Sequence, residues 1–84
     1  MTIDDVIADI DDLPLSDGQK QSLISKLNAA SDALNRENLT AACNQLEAFI
    51  NQVSALAQSD ELDQATATRL IDEAQAIETT IGCP

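Results

Sequence analysis

The chain has 84 residues, 44% of them apolar, with Phe49 as its only aromatic. One domain-sized core must then be built from aliphatic side chains and Ala, which favours closely approaching helices over sheet. Fifteen Asp and Glu stand against Lys20, Lys26, Arg36 and Arg69, with no His, for a formal net charge of -11; that excludes nucleic acid and anionic bilayers as partners, since both call for clustered cations.

Ile3, Val6, Ile7, Ile10 and Leu13 recur at helical spacing behind a Thr2–Asp5 capping arrangement, which predicts a short first helix over about residues 3–12 ended by Pro14. Ser16-Asp17-Gly18-Gln19 is a capping box that opens a second helix carrying Leu23, Leu27, Ala30 and Leu34. That helix is expected to break around Arg36 to Asn38, and Asn38 caps the third. Leu39, Cys43, Leu46, Ile50, Val53 and Ala57 then step by four and three, the pattern of a bundle seam, with Phe49 and Leu56 broadening it on one side. After a turn at Ser59-Asp60-Glu61, Asp63 caps a last helix with the stripe Ala67, Leu70, Ala74, Ile77 and Ile81, closed by Gly82.

The fold class read from these elements is all-α: an antiparallel bundle of three long helices and a shorter leading one, with residues 1–84 forming a single domain. Sliding the chain by 47 positions produces seven identities in 32 ungapped pairs, from Ile3 on Ile50 to Leu34 on Ile81, all between apolar residues, and lays Ser16 on Asp63, cap on cap. Two related helical hairpins, or the shared patterning of amphipathic helices, would produce this echo.

Cys43 and Cys83 admit several roles. Zinc wants four Cys or His ligands, and the chain has two Cys and no His. A reactive Cys83 would need an activating cation, yet its nearest charged neighbour in sequence is Glu78, and it stands next to last, where prenylation needs the fourth position from the end. Antiparallel third and fourth helices place Cys43 level with about residue 79, one turn short of Cys83, and Gly82 can turn the chain back across that gap. A Cys43–Cys83 disulfide is therefore expected, and with it an exported, secreted or cell-surface protein. Two unpaired thiols in a cytosolic chain, with Cys43 an ordinary core residue, is the competing reading.

Asp4, Asp5, Asp9, Asp11 and Asp12 cluster on the first helix and are the expected contact face for a basic protein or polymer. They do not form an EF-hand loop, because Leu13 and Pro14 fall where a ligand and Gly are needed. A looser cation site along Asp5, Asp9 and Asp12 competes with a plain solvated acidic face; no metal ligand set and no cofactor is expected. The chain supplies carboxylates, hydroxyls and two lysines but no His, Tyr or Trp, and four short helices leave no obvious room for a cleft, so no enzyme activity is expected. The carrier motif of acyl carrier proteins is absent, since the Ser22-Leu23 pair follows Gln21 inside a helix. Asn38-Leu39-Thr40 matches a glycosylation sequon, but helix capping accounts for Asn38. No apolar run reaches the length of a membrane span, and Asp4 and Asp5 occupy the place of a signal peptide's basic region, so an export signal is expected on a larger parent chain.

The run from LISKLNAASDALNRENLTAACNQLEAFINQVSAL to ATRLIDEAQAIETTIG and the terminal Cys resembles the FIMAH-type small helical modules of secreted bacterial hydrolases and surface proteins. The likeness covers about residues 13–83 and is densest in AACNQLEAFINQV, at Ala42, Cys43, Asn44, Gln45, Leu46, Phe49, Ile50, Asn51 and Val53. Cysteine-bearing members carry one Cys in that segment and one after the final Gly, which fits Cys43 and Cys83. The resemblance implies a helical, noncatalytic, exported accessory module attached to something larger. The first helix, DDVIADIDD, departs from the family in its acidity. A free-standing acidic inhibitor or immunity-type protein covering a basic site is the alternative from another class.

Overall fold

The computed structural model describes residues 2–83. Its helices are α1 (Ile3–Asp11), α2 (Asp17–Asn35), α3 (Leu39–Gln58) and α4 (Gln64–Ile81), and there is no strand among the described residues. Each helix packs on its neighbours in chain order, and α1 closes the ring against α4. The directions alternate: Ser22, early in α2, hydrogen-bonds Gln52, late in α3, at 3.0 Å, and the start of α1 lies beside the ends of α2 and α4. This is the all-α antiparallel bundle that the periodicity predicts.

Side chains satisfy the first turns as the sequence implies. The Asp5 and Gln19 N–H groups donate to the hydroxyls of Thr2 and Ser16, while the Thr2 and Ser16 N–H groups donate back to the Asp5 carboxylate and the Gln19 amide oxygen, two complete capping boxes. Asn38 and Asp63 accept from the N–H groups of Ala41 and Thr66. The far ends are less conventional. In α2, α3 and α4 alike, paired backbone bonds close a Schellman motif: Asn38 to Ala33 with Glu37 to Leu34, Glu61 to Leu56 with Asp60 to Ala57, and Cys83 to Glu78 with Gly82 to Thr79. The left-handed residues are Glu37 (φ 60°), Asp60 (φ 61°) and Gly82 (φ 86°).

Val6, Ile10, Leu23, Leu27, Leu46, Phe49, Val53 and Leu70 are fully buried, and no polar or charged residue is buried among those described. The seam of α3 holds at Cys43, Leu46, Val53 and Ala57, with Phe49 and Leu56 broadening it as expected, and departs at Leu39 and Ile50. Leu39 is 39% exposed and Ile50 only partly buried, while Phe49 is wholly enclosed, so the buried face of α3 comprises Ala42, Cys43, Leu46, Phe49, Val53, Leu56 and Ala57. In α2 likewise, Ala33 is buried and Leu34 lies at the edge. A helix flanked by two neighbours buries a stripe wider than a strict step of four and three, as the broadening at Phe49 and Leu56 implies.

The 47-residue echo reaches the element boundaries. Moved by that offset, the end of α1 at Asp11 falls on Gln58, the end of α3, and the start of α2 at Asp17 falls on Gln64, the start of α4. The two turns thus have equal length, with caps Ser16 and Asp63 in equivalent places, although only the second uses a left-handed residue, Asp60.

Candidate functional site

Cys43 and Cys83 are joined in a disulfide, with Cα atoms 5.8 Å apart. Cys43 sits one turn into α3, and the Schellman turn at Gly82 brings Cys83 back from the end of α4 toward it. Cys43, Ala33 and Ala42 are buried, yet they lie outside the contiguous apolar cluster that runs from Ile3 to Ile77. The disulfide thus ties the start of α3 to the end of α4 from outside that cluster.

Beside the disulfide lies a shallow recess of about 350 Å³ lined by Glu47, Gln75, Glu78, Thr79 and Cys83. Glu47 follows Cys43 by one helical turn, and Glu78 precedes Cys83 across the same junction. Burial first, then sharing a hydrogen bond with the like-charged Glu47, pushes the Glu78 carboxyl up to about 7. One proton is therefore held between α3 and α4 at mildly acidic pH.

The acidic residues of α1 do not form one uniform surface. Asp4, Asp5, Asp11 and Asp12 are exposed, whereas Asp9 is half-buried against α4. Asp5 is also engaged in the first capping box, and the Thr2 hydrogen bonds hold its carboxyl below the ordinary range. Opposite Asp9 stands Glu73, whose side chain is 13% exposed and whose Oε1 is buried without a hydrogen-bond partner. Burial, then the adjacent Asp9 carboxyl, raises the Glu73 value, while Arg69 opposes the rise from 3.9 Å. Protonated, Glu73 can donate to Asp9; ionised, it cannot. Among the described residues, no group of three or more Cys, Asp or Glu is arranged to hold a metal ion. Lys20 approaches the cluster's far end, but its Nζ donates to the Asp11 carbonyl at 2.8 Å, closing the last turn of α1 and leaving the Asp11 carboxylate free.

The five aspartates thus divide into an exposed set at the two ends of α1 and an inward Asp9 that faces a second carboxyl. Chemically, the exposed set can attract cations and basic side chains. The cross-helix pairs Glu47–Glu78 and Asp9–Glu73 escape a reading made one helix at a time. For Glu47 a clue exists, since the antiparallel register that brings Cys43 to Cys83 also brings Glu47 within a turn of Glu78. For Asp9 there is none, because nothing in the sequence shows that α1 closes on α4.

Among the described residues, no helix is long and apolar enough to cross a membrane. No curated protein and no solved structure matches the chain. The model of the FIMAH domain matches residues 5–79, taking in Cys43 and stopping short of Cys83. This covers nearly all of the four helices, and the chain belongs to the FIMAH domain family.

Proposed function

We propose that the chain is a noncatalytic accessory module of an exported bacterial protein, which joins its parent chain to a basic protein or polymer through the acidic face of α1. The family match over residues 5–79 carries this reading. The Cys43–Cys83 disulfide supports export, because such bonds persist in oxidising compartments. The exposed carboxylates Asp4, Asp5, Asp11 and Asp12 support a cationic partner.

The complete reading frame of the parent tests the module. A signal peptide and a hydrolase or surface domain in the same frame is the expected arrangement; a gene that encodes this bundle alone, beside a toxin gene, contradicts it. The net charge of -11 would then favour a free-standing acidic inhibitor of a basic protein. The contact face has its own test: affinity for a polycation such as polylysine falls steeply as salt rises toward about 0.15 M, where exposed charges are screened beyond roughly 8 Å. Salt-independent affinity removes the electrostatic part of the proposal.

A further inference from the structure

At the end of the bundle where α1 begins and α2 and α4 terminate lies a groove of about 280 Å³. Ile3, Leu34, Ile77 and Ile81 form its apolar floor, and Asp4 and Thr80 stand on its rim. Ile77 and Ile3 belong to the core and are buried, whereas Leu34 and Ile81, packed against it, are only partly buried and expose apolar surface here. The volume falls just below the ~300–1,000 Å³ range of small-molecule pockets, which suits one or two side chains better than a cofactor.

Among the described residues lining this groove the charge is negative, with Arg36 just outside it. Helix C-termini carry partial negative charge, and neither α2 nor α4 has a basic residue in its last turn. Asp4 adds a full charge, with Asp5 beside it in the first turn of α1. Arg36 caps α2 nearby but does not line the groove. Lys20 is engaged at the other end of α1, Lys26 hydrogen-bonds Ser22, and Arg69 pairs with Glu73. A second copy of this chain, at -11, would bring like charge against like charge.

We propose that this groove docks a basic polypeptide segment, taking one aliphatic or aromatic side chain onto Ile3, Leu34, Ile77 and Ile81 while flanking Lys or Arg residues meet Asp4 and the helix C-termini. The inference rests on the reading of the chain as an interaction module with a cationic partner, and it supplies that partner's apolar anchor. Charge alone would favour any cation; the groove selects for a hydrophobic residue between cations.

The probe is a short synthetic peptide with a central Leu flanked by Lys and Arg in a Gly/Ser background, titrated at low salt against isotope-labelled protein and followed by NMR. The methyl signals of Ile3, Leu34, Ile77 and Ile81 shift. Changing the peptide's Leu to Ser weakens binding about tenfold or more, the factor expected when a Leu side chain is no longer buried. Replacing its cations by Glu removes the shifts. Thr80→Arg, at an exposed rim position, abolishes them while helicity by circular dichroism stays unchanged. Equal binding of the Leu and Ser peptides, or shifts confined to Asp11 and Asp12, overturns the groove and leaves the acidic-face reading standing. If no cationic peptide perturbs any signal, both fall.

Discussion

Three residues with positive φ end three of the four helices, and two of them are not Gly. A left-handed conformation costs an L-residue roughly 1–2 kcal/mol. Glu37 offers no short side chain to offset it locally, so Glu37→Gly is expected to stabilise the fold by about 0.5–1 kcal/mol, part of the gain being lost to the extra freedom of Gly when unfolded. Chemical denaturation measures it. The sequence reveals Gly82 as a helix end because Gly is the residue expected there; Glu37 and Asp60 do the same work without announcing it. At the centre, Phe49 is fully enclosed, and Phe49→Ala is expected to cost about 3–5 kcal/mol. Its aromatic side chain had marked only the flank of a seam, since single-helix spacing does not show which of two neighbouring helices fills the space.

Between elements, carboxyl pairs make stability depend on pH. Glu78 has a folded-state value of about 7 against an ordinary 4.5, so between those limits the folded state binds more protons than the unfolded one. Stability from this pair is full below about pH 4.5 and is lost as pH rises through 7; Glu73, raised by burial and by Asp9, acts in the same sense. Asp5 and Asp63 act oppositely. Hydrogen bonds from Thr2 to Asp5 and from Thr66 to Asp63 hold their values below 3.8, so they stabilise the fold above that pH and the contribution fades as pH falls further. The melting temperature is therefore expected to peak in the mildly acidic range and to decline toward pH 8. Glu47→Gln flattens the decline, whereas Asp72→Asn, on the exposed side of α4, leaves its slope unchanged. Helix identities, caps and turns were readable because each is local, set by a few adjacent residues and a period. The Asp9–Glu73 pair and the apolar groove were not, because both arise where α1 meets α4, the most distant elements in sequence.

For the molecule as a whole, a covalent bond ties the start of α3 to the end of α4. Cys43, Ala33 and Ala42 are buried outside the main apolar cluster, at the same end of the bundle as its members Ile3 and Ile77. A cross-link between residues 40 apart restricts the unfolded chain by roughly 4 kcal/mol in the chain-entropy model, a large share of the ~5–15 kcal/mol that holds a small domain together. The bundle and the cysteine pairing could be inferred from spacing alone, whereas the partner could not, because a contact surface on a soluble helix looks like any solvated face. With the bond absent, the last turn of α4 is expected to open first, so amide hydrogen exchange after reduction accelerates most at residues 78–83. The most direct measurement compares thermal unfolding of the native chain with that of a Cys43→Ser/Cys83→Ser variant. The double variant is predicted to melt lower by about 15–30 °C, the shift that corresponds to some 4 kcal/mol in a domain of this size; an unchanged melting temperature would contradict the disulfide's role in holding the fold together.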